Sequence, residues 1–109
     1  VTDDRTFLRH ILQAIDRIAQ YTSEGEAAFL DDTMIQDAVI RNLEVIGEAV
    51  KNLSSETSSL HDDIPWRRMA GMRDRVIHGY FHVNLRLVWN VVETDLPRLR
   101  NRIKVMKDS

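Results

Sequence analysis

The run Met72-Arg-Asp-Arg-Val-Ile-His-Gly-Tyr-Phe-His82 gathers a guanidinium, an imidazole and a phenol into one short segment. A guanidinium stays protonated and can hold an anion, whereas an imidazole, with a reference pKa near ~6.5, can take up or give a proton at neutral pH. Arg73 and His78 are five positions apart, so on an unbroken helix their side chains would diverge by about 140°. Either the chain turns at Gly79 and brings the imidazole round, or two copies of the segment meet across a symmetry axis. His78 and His82 have a four-residue spacing that can bind metal on a continuous helix. Gly79 interrupts that helix and no acidic ligand lies between the two histidines, so no metal site is expected. Glu44 and Glu48, one helical turn apart, have no third catalytic group in sequence beside them and are expected to pair with arginines.

Four helical segments must position these groups. Leu8, Ile11, Leu12, Ile15, Ile18 and Ala19 follow the three-and-four spacing of one helix face, with Asp3 and Asp4 suited to its start and an end near Thr22. Ser23 to Glu26 then connects, and Ala27 to Leu30 can form a turn of its own. Met34, Ile35, Ala38, Val39, Leu43, Ile46, Val50 and Leu53 predict the longest helix, capped by Asp31 or Asp32 and running into Ser54–Ser59. Gly47 costs that helix about 1 kcal/mol relative to alanine, which suggests close approach of another helix or of a second subunit. Pro65 is placed for the first turn of a third helix reaching about His78, where Gly79 suits a left-handed stop. The fourth stripe, Leu85, Val88, Val92, Leu99, Ile103 and Met106, restarts after Asn84, and Pro97 predicts a kink or short break. The expectation is an all-α, antiparallel up-and-down bundle of four main helices, one domain spanning residues 1–109.

The chain has no cysteine, which excludes disulfides, thiolate nucleophiles and cysteine-based zinc sites. No apolar run approaches the roughly 20 residues needed to span a bilayer, and the start lacks the basic-then-apolar pattern of an export signal. A cytoplasmic protein without membrane contact is expected. The net charge of −2 conceals a division. Residues 1–63 carry 5 Lys/Arg against 13 Asp/Glu, whereas residues 64–109 carry 10 against 4. If the basic half shares a surface, phosphate attraction is available there; solvated helix faces would give the same arithmetic.

Arg73, His78 and Tyr80 together match the Arg-x4-His-x-Tyr pattern of the HEPN superfamily, and the chain resembles its HepT-like toxin branch. Ala38-Val-Ile-Arg-Asn-Leu-Glu-Val-Ile-Gly-Glu-Ala49 resembles that branch's second helix. Ile64-Pro-Trp-Arg-Arg-Met-Ala-Gly-Met-Arg73 leads into the motif in the same style, and Val88-Trp-Asn-Val-Val-Glu-Thr-Asp-Leu-Pro97 is similar to its last helix. The resemblance implies the toxin of a type VII-like toxin–antitoxin system: a homodimeric, metal-independent endoribonuclease, needing no cofactor, with two Arg/His pairs in a cleft at the dimer interface. His78 would remove the 2′-hydroxyl proton next to the scissile phosphate of a transfer or messenger RNA, and the partner copy's imidazole would serve the leaving oxygen. Arg73 would hold the phosphate. Asp74, where the superfamily has a polar residue, would help orient the site. The resemblance also implies a partner, a minimal nucleotidyltransferase antitoxin that transfers AMP to Tyr80.

Plainer roles exist for each of these residues. His78 could cap a helix end, Arg73 could pair with a carboxylate, and Tyr80 and Phe81 could pack instead of stacking on bases. Arg67, Arg68 and Arg75 could contact RNA backbone or simply face solvent. Trp66 and Trp89 are expected to be structural, and His10 and His61 receive no role. A HEPN dimer that binds RNA, nucleotide or the nucleotidyltransferase without cutting is the principal alternative function, and a purely structural interaction module is a third.

Overall fold

The computed structural model describes residues 4–71, 77–78 and 82–108, with 77–78, 82–83 and 107–108 described by backbone alone. Among the described residues the regular elements are helical apart from one two-residue strand pairing: α1 (Asp4–Tyr21), α2 (Glu26–Asp31), α3 (Thr33–Lys51), α4 (Ser55–Leu60), α5 (Trp66–Ala70), β1 (Ile77–His78), β2 (His82–Val83), α6 (Leu85–Asn90), a π-helical turn (Val91–Asp95) and α7 (Leu96–Asp108). The apolar stripes of α1 and α3 meet in the core, where Ile11, Ile18, Val39, Leu43 and Ile46 are buried. Phe29 on α2 closes one end by packing on Trp89, ring centroids 5.5 Å apart. Both tryptophans are structural as expected: Trp89 is buried, and Trp66, also buried, donates its indole N–H to the His61 carbonyl at 3.0 Å.

The expected start of α3 is borne out, since the Asp32 carboxylate accepts from the backbone N–H groups of Met34 and Ile35. The end is different. α3 stops at Lys51, and the serine-rich stretch expected to trail from it forms α4 instead, capped by the Ser54 hydroxyl accepting from the Thr57 N–H. Asp4, expected only as a helix-starting charge, reaches across to this cap. Its carboxylate accepts from the Ser54 N–H at 3.0 Å, from the Ser54 hydroxyl at 2.6 Å and from the Thr57 hydroxyl. These contacts hold the start of α1 beside the end of α3, so the two helices run antiparallel.

The Ser54 and Thr57 donors pull the Asp4 carboxyl below its ordinary value of 3.8. A depressed folded-state value means that the contribution to stability is fully present above the unfolded pKa and is lost as pH falls through the folded one. Asp4→Ala should therefore cost about 1 kcal/mol at pH 7. In thermal melts its deficit should shrink in acid, as the wild-type carboxylate takes up its proton.

The third helix is shorter than Pro65 and Gly79 led one to expect. α5 ends at Ala70, Gly71 closes it by donating its N–H to the Arg67 carbonyl, and by Ile77 the chain is extended. A helix reaching His78 is thus corrected to one of five residues with Pro65 as its N-cap. The β-branched Ile77 favours the extended alternative, and β1 finds its hydrogen bonds on β2 with Ile77 opposite Val83 and His78 opposite His82. Gly79, the expected stop, lies outside the described residues.

α5 is held by Gly47. A Cβ at that position would stand 3.2 Å from the Ala70 carbonyl oxygen and 3.5 Å from that of Met69, so the glycine serves helix packing within the chain. Gly47→Val, which adds branches toward backbone that has no flexible end to move aside, should destabilise the fold by about 1–3 kcal/mol. A lowered urea midpoint with unchanged slope would register this.

Pro97 neither breaks nor ends the last helix. The preceding residues widen into the π turn, in which the Leu96 N–H bonds to the Val91 carbonyl, and the wider turn relieves the clash of the proline ring with the carbonyl four residues back. Val88, Val92, Leu96, Leu99 and Ile103 consequently stay on the buried side from α6 through α7. Asn84 caps this composite helix by accepting from the Leu87 N–H at 3.0 Å.

Candidate functional site

The chemistry-bearing segment lies in sequence between two anchored points. On one side α5 is seated on Gly47 and stops at Gly71. On the other, β2 leads directly into Asn84 and the capped start of α6. His78 stands in β1 opposite His82, so the 140° divergence of a straight helix does not apply between Arg73 and His78. Arg73, Asp74, Arg75 and Tyr80 lie outside the described residues, as does Phe81.

Beside the exit of α5 is a hollow lined by Arg41, Glu44, Gly47, Glu48, Lys51 and Ala70. Arg41 and Glu44 form an ion pair across one turn of α3 at 4.0 Å, which bears out the structural pairing expected for Glu44; Glu48 lines the same hollow one turn on. Phe7 and Val45, half-buried, continue this face toward His10, whose ring meets that of Phe7 edge-on with centroids 6.3 Å apart. Among the described residues no three His, Asp or Glu side chains come together as a metal site requires. None of the described helices is long and apolar enough to cross a membrane.

The flanking arginines separate in role. Arg67 is exposed at the surface of α5. Arg68 reaches toward the π turn and stands 3.7 Å from Asp95. On α7, Arg98 and Arg102 are neighbours on the same side, one helical turn apart, and both line a groove with Arg68. Sequence reading passed over this pair; its trace was the basic excess of residues 64–109 combined with a four-residue spacing.

The family model described as ribonuclease HepT-like matches residues 11–106, which include the motif segment. The chain belongs to the ribonuclease HepT-like family. It is 43% identical over 104 residues to a Thermococcus cleftensis protein named "Probable ribonuclease HepT", the match covering 94% of each chain. A Caldanaerobacter subterraneus subsp. tengcongensis protein named as an RNase is 41% identical over 104 residues, with 92% of this chain and 90% of that protein covered. A Methanocaldococcus jannaschii protein named as a gamma-glutamylcyclotransferase and RNase is 44% identical over 108 residues, covering 97% of this chain but only 49% of the larger protein. No solved structure matches. Membership of this HEPN family and the names of these relatives support an RNase activity, as the motif led one to expect.

Proposed function

We propose that the chain is the toxin of a toxin–antitoxin pair, a homodimeric and metal-independent endoribonuclease acting in the cytoplasm. The observation that carries it is the ordered Arg73, His78 and Tyr80 pattern in a chain of the HepT-like family. In the dimer, the segments between α5 and α6 of two subunits face each other and supply two guanidiniums and two imidazoles to one phosphodiester. His78 of one subunit takes the 2′-hydroxyl proton; the 2′ oxygen attacks phosphorus, and the bond to the 5′ oxygen breaks as the other imidazole donates a proton to it. Arg73 neutralises the charge gathering on the phosphoryl oxygens, and Asp74 orients the arginine and imidazole. Arg67, Arg68 and Arg75 contact the RNA backbone. A nucleotidyltransferase partner silences the enzyme by transferring AMP to Tyr80.

Sequencing RNA ends after brief induction tests this directly. New ends carrying a 2′,3′-cyclic phosphate, absent when the partner is co-expressed, are the expected result. Growth arrest without new RNA ends would favour a dimer that binds without cutting.

A further inference from the structure

Two ion pairs link α5 and the turn before it to the π turn and α7, in opposite chain directions: Arg68 with Asp95 at 3.7 Å and Arg102 with Asp63 at 2.7 Å. Between the helices is a groove of about 510 Å³ whose floor includes the buried Met69 and Leu99. Arg98 lines the same groove one turn before Arg102; it is exposed and has no carboxylate partner among the described residues. Three guanidiniums against two carboxylates leave the groove net positive. Each paired arginine meets its carboxylate through one nitrogen, so N–H donors remain on all three.

The groove's two walls adjoin the motif in sequence. On one wall Arg68 is nearer in sequence than Asp63 to the segment that carries Arg73 and His78; on the other, Asp95 is nearer than Arg102. Both walls are therefore joined covalently to the motif segment, and the Arg68–Asp95 end is the proximal one on each. All the groove's cations are guanidiniums, whose planar forks suit phosphate oxygens better than a point charge does.

We propose that this groove binds the sugar–phosphate backbone of single-stranded RNA flanking the scissile bond, with Arg98 as the central phosphate contact and Arg68 and Arg102 held at either end by their aspartates. The proposal rests on the nuclease function of the motif segment. The groove supplies affinity for long strands without base selection, since arginine contacts to phosphate carry no sequence information.

Arg98→Glu is the test, because it removes the unpaired cation without replacing any residue of the two ion pairs. With a long unstructured RNA as substrate, KM should rise about ten-fold and the slope of log KM against log salt should fall by about 1, with kcat retained. A dinucleotide substrate, too short to enter the groove, should show a much smaller change, and Arg98→Lys should recover most of the loss. Arg9→Glu, the same charge change on α1 outside the groove, should leave the long-RNA KM at its wild-type value. Binding is measured separately by fluorescence anisotropy with labelled RNA in a His78→Ala background. If the wild type cuts RNA and Arg98→Glu binds and cuts the long strand equally well, the groove proposal falls and the nuclease function stands. If no protein cuts but Arg98→Glu still weakens RNA binding, the nuclease function falls and the groove stands. An equal loss on dinucleotide and long RNA would overturn the proposal. So would unaltered RNA handling with lost binding of the nucleotidyltransferase, which would make this a protein-docking face.

Discussion

His78→Ala is expected to slow RNA cleavage by about 10²–10⁴-fold, the range that a positioned acid–base group contributes. In the proposed symmetric dimer the substitution would act twice, removing both the imidazole assigned to the 2′ proton and the one assigned to the leaving oxygen. Wild-type kcat/KM should therefore be bell-shaped in pH, one limb for each imidazole, and the residual activity of the variant should lose both limbs. His82 is the informative control. It stands opposite His78 in the β1–β2 register, so damage to the strand pairing would be shared by His82→Ala, whereas loss of a proton carrier would not. A much smaller loss in His82→Ala is expected. Full cleavage by a His78→Ala preparation free of contaminating nuclease would end the catalytic assignment.

The register that makes His82 a control could not be read from sequence, and the reason is physical. Amphipathic helices such as α1 and α3 repeat their message over several turns: Leu8, Ile11, Ile15 and Ile18 each say which face is buried, and each is buried. Local caps add to this, as Asp32 does for α3. Short elements have no such redundancy. α4 has no buried residue at all; it is held by its Ser54 cap and by Asp4, fifty residues away in sequence. Pro65 and Gly79 bracket a longer helix, yet Gly71 ends α5 and Ile77 is extended, because pairing with Val83 satisfies backbone groups there.

Pro97 shows the same competition with a different winner. Local chemistry predicts a break, since the residue removes a hydrogen bond and crowds the preceding turn. The buried side chains on either side, Val92 and Leu96 before the imino acid's turn and Leu99 and Ile103 after it, all belong to one core. Breaking the helix would expose part of that face, whereas widening one turn keeps it buried. Packing thus decides how the local defect is absorbed. At the candidate site the balance is reversed: Arg73, His78 and Tyr80 are conspicuous because their residue types and order carry the chemistry, while the anchors on either side, Gly47 beneath Ala70 and the Asn84 cap, depend on contacts visible only in the fold.

Incubation with the cognate nucleotidyltransferase and ATP should add AMP to Tyr80 and abolish cleavage. The phenol oxygen attacks the α-phosphorus, pyrophosphate leaves, the phenolic proton is released, and the tyrosine is left as a phosphodiester carrying a negative charge. In the proposed dimer, that charge and the bulk of a nucleotide, two residues in sequence from His78, would oppose entry of RNA phosphates by repulsion and obstruction together. Tyr80→Phe keeps the ring and removes the accepting oxygen; it should gain no mass and should still arrest growth when the partner is co-expressed. Treatment with a phosphodiesterase that removes AMP should restore cleavage to the modified wild type, separating covalent control from tight masking. Intact mass spectrometry on the inhibited pair is decisive, for a silent toxin of unaltered mass would mean that the partner works by binding over the site, and Tyr80 would return to being an aromatic side chain beside a catalytic histidine.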